Sequence, residues 1–400
     1  MSRSIDIPHQ EPIPFARPSI GREEEEAVLE VLRSGWLTTA GQTLEFEREF
    51  AAFTGAPHAL AVNSATAGLH LALEALGIGP GDRVITSPYT FTSSAEVIRY
   101  LDADPVFVDI DSDSLTIDPD KLEEAFRNNR NIKAVIPVHL GGRPCEMGRI
   151  QETAARGGAA IVEDAAHALP VRTDGGFLGC IGDIGVYSFY ATKTITTGEG
   201  GMVVTADPRI ARRISVMRLH GIDREVWKRY TEQKASWRYD VVEAGYKYNL
   251  PDIAAAIGRV QLRKADDFLE SRRHIAEMYI SGLKDYDFLQ LPAAGGPHAW
   301  HLFILKLQLD KLNITRDQFI ERLQQMGIGA SVHYIPLHIM SYYRKRYGYQ
   351  PQDFPVSMRV FESALSLPIY PDLTDTQVRR VIDAVISIGT SAYRRNRLGS

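Results

Sequence analysis

The chain has 400 residues, of which 44% are hydrophobic and 24% are charged. This length and composition predict two or three folded domains and exclude a peptide, a disordered tail or a fibrous protein. The 45 Lys and Arg residues against 50 Asp and Glu residues give a net charge of −5, and no arm or helix concentrates the basic residues, so nucleic acid is not an expected partner.

Cysteine usage and hydropathy predict a cytoplasmic protein. The two cysteines, Cys145 and Cys180, are too few for a disulfide framework, and neither lies in a metal-ligand spacing, so we expect no metal site. The N-terminus lacks the apolar segment of a signal peptide, and no run of about 18 apolar residues occurs. We therefore expect no membrane partner either.

Strands and helices alternate through the first half of the chain. A helix is predicted over 22–35, and further helical stretches over 67–76, 93–101, 119–128 and 146–158 lie between short apolar runs. These runs predict strands at 59–62, 83–86, 105–108, 134–138, 159–162, 185–189 and 201–205. The alternation is typical of βαβ units, and it predicts an α/β fold whose mostly parallel sheet is covered by helices on both faces.

The C-terminal part has a different pattern. A long amphipathic helix over 251–279 precedes a strand, another helix, a turn rich in His and Tyr, and a last helix. This mixture predicts a smaller α+β domain packed on the first domain. The predicted organisation is an N-terminal segment at 1–40, a large α/β domain at 41–245 and a small α+β domain at 246–400.

Residues that follow the predicted strands are the first candidates for chemistry, because parallel sheets bind ligands beyond the carboxyl ends of their strands. Ser64, Ala65 and Thr66 follow the first strand and lead into a helix, whose N-terminus suits a phosphate group. The alternative is that Ser64 or Thr66 is only a helix cap. Phe91 follows the second strand, where it either stacks on a planar heterocycle or belongs to the core.

Two ionisable residues follow the fifth and sixth strands. A buried Asp164 needs a cationic or donor partner, such as a protonated ring nitrogen, unless it merely caps a helix. Lys193 lies in a turn rich in small and hydroxyl residues, where a lysine of lowered pKa can form a Schiff base, although most lysines are solvated surface residues. With the phosphate turn and the aromatic ring, these residues describe a site for pyridoxal 5′-phosphate (PLP).

Competing cofactor and nucleophile motifs do not occur in the sequence. No segment matches GxGxxG or the P-loop GxxxxGK[ST], which weakens nicotinamide and ATP binding as alternatives. Nor is there a GxSxG or HExxH pattern.

Several segments, in order along nearly the whole chain, resemble the DegT/DnrJ/EryC1/StrS family of PLP-dependent sugar aminotransferases. The segments are 34–39, 63–66, 163–167, 182–193, 197–201, 218–221, 245–253, 333–334 and 367–368. Within the family, residues 245–249 and 299–303 are most similar to the members that make UDP-4-amino-4-deoxy-L-arabinose for lipid A modification. The resemblance implies a fold-type-I aminotransferase with a large domain around a seven-stranded sheet.

The resemblance also implies roles for residues that match the family motifs. Lys193 would be the Schiff-base lysine and Asp164 the partner of the pyridine nitrogen, and these two are the implied catalytic residues. Asn249 would reach the phosphate of the cofactor bound to a neighbouring subunit, so the expected active unit is a homodimer. The other implied cofactor contacts are Ser64, Ala65, Thr66, Phe91, His167 and Ser188.

A second group of residues is expected to contact the substrate. Tyr190 departs from the His that relatives often have at this position, and Lys228 is a further candidate cation for a nucleotide diphosphate. The expected substrate contacts are Thr39, Tyr190, Arg218, Arg229, His333, Tyr334 and His338.

The expected reaction is amino transfer. By resemblance, an amino acid, L-glutamate, gives its amino group to the cofactor, which becomes pyridoxamine 5′-phosphate, and a nucleotide-linked 4-keto sugar then receives the group. The product is a 4-amino-4-deoxy sugar nucleotide for surface polysaccharide, lipid A or natural-product glycosylation. The alternatives are a fold-type-I lyase acting on amino acids and a PLP or sugar-nucleotide sensor without turnover. By resemblance, some members of the family are C3-dehydratases, which have histidine in place of the Schiff-base lysine. The presence of Lys193 argues against dehydratase activity.

Overall fold

The computed structural model of the protein describes residues 11–223 and 239–394. The helices are α1 Arg22–Ser34, α2 Gly41–Thr54, α3 Ala65–Ala75, α4 Ser93–Tyr100, α5 Pro119–Asn128, α6 Met147–Gly157, α7 Pro208–Met217, α8 Asp252–Arg263, α9 Ala265–Leu283, α10 Arg316–Gln325, α11 Ser341–Tyr347, α12 Pro355–Ser363 and α13 Asp375–Ser391. The strands are β1 His58–Val62, β2 Arg83–Thr86, β3 Asp104–Phe107, β4 Ile132–Ile136, β5 Ala160–Asp164, β6 Arg172–Thr173, β7 Gly176–Phe177, β8 Ile184–Ser188, β9 Gly201–Thr205, β10 Leu289–Gln290, β11 Phe303–Leu307 and β12 Ala364–Leu367. Short 3₁₀ turns lie at Leu140–Gly142, Leu337–Ile339 and Pro351–Asp353.

Local sequence signals set several helix starts. Ser64 Oγ accepts the N–H of Ala67 at 3.1 Å and caps α3. The Asp118 side chain accepts backbone N–H groups at the start of α5. Thr374 and Gln377 form a reciprocal capping box at the start of α13. These bonds satisfy N–H groups that have no partner inside the helix.

Seven of the described strands form one sheet in the order β1-β9-β8-β5-β4-β2-β3. Strands β8, β5, β4, β2 and β3 are parallel to one another, whereas β9 is antiparallel to both β1 and β8. The predicted mostly parallel, seven-stranded sheet is therefore confirmed. All seven predicted strands lie in it, and their ends differ from the prediction by at most two residues.

Helices cover both faces of this sheet. On one face, Leu69 of α3 and Ile214 of α7 pack in the same buried cluster as Val203 of β9. On the other face, the ring of Phe50 in α2 lies 5.0 Å from that of Tyr187 in β8. Each such fully buried side chain contributes about 1.5–3 kcal/mol by leaving water. Helices thus cover both faces of the sheet, and a ligand can reach the sheet at the ends of the strands.

The C-terminal part of the chain forms a second core. It contains the antiparallel sheet β10-β11-β12, against which α9, α10 and α13 pack. Tyr279, Phe303 and Phe319 are fully buried there. The predicted smaller α+β unit is present, while the domain limits at 40/41 and 245/246 stay a prediction.

The single helix predicted over 251–279 is wrong, because α8 and α9 meet at a bend. Lys264 at the bend has φ −95° and ψ 0°, and its ammonium pairs with Glu24 at 2.9 Å and Glu23 at 3.2 Å. Helix α8 packs against α1 and α2, whereas α9 belongs to the C-terminal core. The bend therefore takes the chain from one core to the next.

No helix within 11–223 and 239–394 combines the length and the apolar character needed to cross a bilayer. The predicted cytoplasmic location stays a prediction.

Candidate active site

The carboxyl ends of β1, β5 and β8 lie at one edge of the large sheet. Asp164, the last residue of β5, is opposite Val186 of β8. Gly201, the first residue of β9, is opposite Ser188 on one side and Val62 on the other. Because α3 begins just after Val62, this register brings the first turn of α3 beside the end of β8.

The Asp164 carboxylate is buried with few donors around it. It is 4% exposed, and it accepts the hydroxyl of Ser94 at 2.7 Å and the N–H of Ala166 at 3.2 Å. Burial raises the pKa of this carboxyl, although both hydrogen bonds and the charge of Lys193 oppose the rise. No cation of the described residues forms an ion pair with it, so the site favours a ligand that brings a positive charge.

Lys193 lies in the turn that follows β8. Its backbone N–H donates to the carbonyl of Tyr190 at 2.8 Å. Burial lowers the pKa of its side chain to about 8, and the charge of Asp164 opposes that shift. Since the neutral amine is the form that attacks a carbonyl carbon, the lowered pKa provides a reactive fraction near neutral pH.

His167 is held in one tautomer. Its Nδ1 accepts the N–H of Gly141 at 3.2 Å, so the proton of the neutral ring is on Nε2, which faces the Tyr334 hydroxyl at 3.3 Å. Burial, and then the charge of Lys193, lower its pKa well below the ordinary value. His167 is therefore a neutral hydrogen-bond donor at physiological pH.

Two further histidines share the electrostatic environment of Lys193. The His301 ring lies 4.4 Å from that of His167, and His333 Nδ1 is 2.9 Å from Ser366 Oγ. Burial, together with the charge of Lys193, lowers the pKa of both rings, to about 4 for His333. Both rings are therefore neutral at physiological pH, like that of His167.

The first turn of α3 is shaped to receive an anion. Ala65 and Thr66 are its first residues, whose N–H groups lack intrahelical partners, and the helix dipole favours negative charge there. A Cβ atom on Gly201 would lie 2.8 Å from the Ala65 nitrogen, so only glycine fits against this turn. Ser188 Oγ, at the adjoining strand end, accepts the N–H of Tyr190 at 3.3 Å.

These groups fit PLP. Asp164 offers a carboxylate short of donors to a protonated ring nitrogen, Lys193 offers an amine to an aldehyde, and the α3 N-terminus offers N–H groups to a phosphate. The unpaired buried carboxylate is the strongest of the three indications, because its burial is costly without a cationic ligand.

Related proteins share this sequence and architecture. The model of the DegT/DnrJ/EryC1/StrS aminotransferase family matches residues 18–386. The chain belongs to this family. Among curated members, the spore coat polysaccharide biosynthesis protein SpsC of Bacillus subtilis (strain 168) is 47% identical over 379 residues, which are 94% of this chain and 97% of SpsC.

Solved structures of family members superpose closely on this aminotransferase. The putative sugar aminotransferase Spr1654 from Streptococcus pneumoniae, in its PMP-form, has a TM-score of 0.88 and 33% identity, covering 95% of this chain and 99% of that chain. The same protein was also solved in a PLP-form. PseC from Helicobacter pylori, an aminotransferase involved in pseudoaminic acid biosynthesis, has a TM-score of 0.88 and 28% identity, covering 95% and 100%. The predicted family, fold type and aminotransferase class are confirmed.

Two expected contacts of this aminotransferase are open to solvent. Phe91 is 56% exposed, and its ring lies 6.0 Å from that of Tyr334. Tyr190 is 48% exposed, beside Lys193 in the same turn. Both side chains are therefore free to contact a ring or a sugar, and their roles stay predictions.

Thr39 and Asn249 lie together. The Asn249 amide donates to Thr39 Oγ1 at 2.6 Å, and the Asn63 N–H donates to the Tyr248 carbonyl at 2.8 Å. The Lys247 ammonium donates to the Asn249 side-chain oxygen. Asn249 is thus beside the turn at 63–66 of its own chain, and its predicted reach into a second subunit stays a prediction.

The structure does not bring every expected substrate contact to the site. Arg218 is 9% exposed, pairs with Glu47 and donates to the Ala61 carbonyl at 2.8 Å, so its guanidinium is occupied inside the protein. His338 is fully buried, with its ring 4.8 Å from that of Phe354. Lys228 and Arg229 lie outside the described residues.

Sequence reasoning missed Ser94, His301 and Gly141, each of which contacts a site residue. Ser94 was hidden as one of several small polar residues at the start of α4, although its place in the first turn of the helix that follows β2 was a usable signal. His301 and Gly141 come from segments distant in sequence, which contact His167 only after folding.

Proposed function

We propose that this protein is a PLP-dependent aminotransferase that moves an amino group from L-glutamate to the keto carbon of a nucleotide-linked 4-keto sugar. The observation that carries the proposal is the buried Asp164 carboxylate, which ends β5 beside β8 and accepts only two hydrogen bonds, with Lys193 in the turn that follows β8. The family membership supports amino transfer, and the names of SpsC and PseC support a sugar substrate.

When bound, PLP supplies a ring that takes up the electron pair released when a C–H bond of the amino compound breaks. The Asp164 carboxylate would stabilise a proton on the ring nitrogen, and in return it would gain the counter-ion that the protein itself does not provide. The Ser94 hydroxyl would fix the orientation of that carboxylate.

Lys193 would carry the proton during transfer. A side chain whose pKa is about 8 is near the balance of amine and ammonium at neutral pH, so it can both remove a proton from carbon and return one. Its place in the turn after β8 keeps the amine at the strand edge where Asp164 ends β5. The neutral His167, His301 and His333 rings add no competing charge.

The proposed active unit is a homodimer with shared sites. Val241 and Val242 are 55% and 51% exposed and lie a few residues from Asn249, so a second copy would cover apolar side chains while bringing Asn249 to its site. Sedimentation analysis tests the dimer, and restoration of activity by mixing Asn249→Ala with Lys193→Ala subunits tests the sharing.

The function is tested in two half-reactions. The holoenzyme is mixed with L-glutamate, and release of 2-oxoglutarate is measured before any sugar is added. UDP-, GDP- and dTDP-linked 4-keto sugars are then supplied in turn, and amino-sugar formation is followed by mass spectrometry.

The expected result is stoichiometric 2-oxoglutarate release followed by amination of at least one sugar nucleotide. Release of 2-oxoglutarate without amination of any sugar would contradict the proposed acceptor. Failure to bind PLP would contradict the entire proposal. Borohydride treatment followed by peptide mapping gives an independent readout, because the label is expected on Lys193.

A further inference from the structure

A cavity lies beside the turn at 140–143, where the N–H of Gly141 donates to His167 Nδ1 at 3.2 Å. Its volume is about 270 Å³, and it opens between the loops at 113–115 and 140–143 and the segment 290–306. The polar side chains on its wall are those of Asp113, Arg143, Gln290, His298 and Lys306. None of the residues predicted to contact cofactor or substrate lines it. Pockets for drug-sized ligands measure about 300–1,000 Å³, so this one suits a small metabolite.

Arg143 is a cation without a counter-ion at this cavity. Its guanidinium donates to the Ala293 carbonyl at 3.2 Å, and no carboxylate of the described residues lies within ion-pair distance. Burial lowers its pKa, and the charges of Asp111 and Asp113 only partly oppose the shift. A half-buried guanidinium with free donors is well suited to bind an oxyanion in bidentate geometry.

Two more donors face the same space. The Lys306 ammonium donates to the Ser112 carbonyl at 2.6 Å and is 3.8 Å from an Asp113 oxygen, too far for a direct hydrogen bond. His298 Nδ1 accepts the Trp300 N–H at 2.8 Å, so the neutral ring carries its proton on Nε2. The cavity therefore offers two cations and a neutral donor to an anion.

Other groups on the cavity wall can accept hydrogen bonds. Asp113 Oδ1 accepts from Gln290 at 3.1 Å, which leaves carboxylate lone pairs and the Gln290 amide oxygen for hydroxyl donors. Leu115, Leu140 and Leu302 form the apolar part of the wall. A ligand with an anionic end, several hydroxyls and a carbon skeleton matches this distribution.

We propose that the cavity is a second binding site, separate from the catalytic site, for a small phosphorylated sugar. Arg143 and Lys306 bind the phosphate, and Asp113 and Gln290 bind hydroxyls. Gly141 forms part of the wall, and its N–H is the donor that holds His167. The ligand would thus contact the turn that orients a ring of the catalytic site.

Binding is tested on the PLP-loaded enzyme by calorimetry with α-D-glucose 1-phosphate, inorganic phosphate and glucose as probes. We expect saturable binding of glucose 1-phosphate, weaker binding of phosphate and none of glucose. Arg143→Gln should weaken glucose 1-phosphate binding by about tenfold or more, because charge-assisted hydrogen bonds are lost. Lys306→Gln should weaken it in the same direction.

Arg344→Gln is the matched control, since Arg344 is exposed and does not line the cavity. Hydrogen exchange of the wild-type enzyme locates the ligand, and protection is expected in peptides covering 111–116, 140–145 and 290–306. Circular dichroism checks the fold of each variant, and Arg143→Lys replaces Arg143→Gln if the latter does not fold.

Three outcomes would overturn the proposal. The first is no saturable binding of glucose 1-phosphate to the wild-type enzyme. The second is binding that Arg143→Gln and Lys306→Gln leave unchanged, with protection at 63–66 and 188–193 instead, which would assign it to the catalytic site. The third is equally tight binding of inorganic phosphate, which would show that the site does not recognise the sugar part of the ligand. None of these readouts requires amino transfer, so they stand independently of the proposed function.

Discussion

Glu163 and Asp164 are adjacent in β5, yet their carboxylates lie in opposite environments. Side chains alternate across a strand, so the two point to opposite faces of the sheet. Glu163 is fully buried and accepts His139 Nε2 at 2.9 Å and three N–H groups of the turn at 179–182 at 2.6 to 2.8 Å. Asp164 accepts only the Ser94 hydroxyl and one backbone N–H.

The difference appears in the direction of the two pKa shifts. Burial raises the pKa of both carboxyls, but for Glu163 the hydrogen bonds from His139 and the turn outweigh burial and lower it. For Asp164 burial prevails and the pKa rises. A carboxylate supplied with donors holds the protein together, whereas one kept short of donors retains the capacity to bind a cationic ligand.

The largest expected effect on amino transfer comes from removing the amine of Lys193, which shares the proposed site with Asp164. Lys193→Ala should lower amino transfer by at least about 10³-fold, because proton transfer at carbon loses its base and acid. The fold should remain, since the Lys193 side chain forms no ion pair among the described residues. Coupled detection of 2-oxoglutarate measures the loss. Lys133→Ala, at an exposed position, is the control and should keep full activity.

Asp164→Asn should reduce activity by about 10²–10⁴-fold. The substitution keeps the shape but removes the charge that would stabilise a ring proton, and loss of one partner of a buried pair costs about 3–5 kcal/mol. The turnover rate of the variant is compared with that of the wild type at saturating PLP, so that weaker cofactor binding does not contribute to the difference in rate. Activity within a factor of about three would contradict the pairing.

In contrast to Asp164→Asn, Glu163→Gln should mainly lower the stability of the fold and have little effect on activity. The amide cannot accept all four hydrogen bonds of Glu163, and leaving buried donors unsatisfied costs about 1–3 kcal/mol in the free energy of unfolding. Urea unfolding of the cofactor-free protein measures this loss. Turnover at saturating PLP should change by less than about tenfold, because Glu163 lies on the other face of the strand. A larger loss of turnover in Glu163→Gln than in Asp164→Asn would contradict the assignment of a structural role to Glu163 and a cofactor-pairing role to Asp164.

The smallest expected effect is an opposite pH dependence of the two variants in the cofactor-free state. The lowered pKa of Glu163 gives stability that is present above its ordinary value of 4.5 and is lost as pH falls through the folded-state pKa. The raised pKa of Asp164 gives a penalty that grows as pH rises above its ordinary value of 3.8.

Relative to the wild type, Glu163→Gln should therefore recover stability as pH falls, whereas Asp164→Asn should gain stability as pH rises. Urea unfolding at about pH 4 and about pH 7 measures both differences. Equal slopes for the two variants would show that the two carboxyls share one environment.

The strands and the residues at their ends were predictable, because apolar runs and turn residues are local signals. The places of Asp164, Lys193 and the turn at 64–66 at the strand ends were predicted for that reason, while their roles stay predictions. The partners were not predictable: Arg218 pairs with Glu47 across 171 positions, and Lys264 at the α8–α9 bend pairs with Glu23 and Glu24 of α1. Such pairings depend on the folded arrangement, which local periodicity does not contain.

The pairing of β1 with β9 has a consequence for how the protein is made. The turn at 64–66 leaves the ribosome early, but Gly201, the residue that abuts it, is synthesised much later. Until then β1 lacks the neighbour that ties it to the rest of the sheet. A nascent chain that ends before β9 therefore lacks the glycine that abuts the turn at 64–66, where we propose that the cofactor phosphate binds.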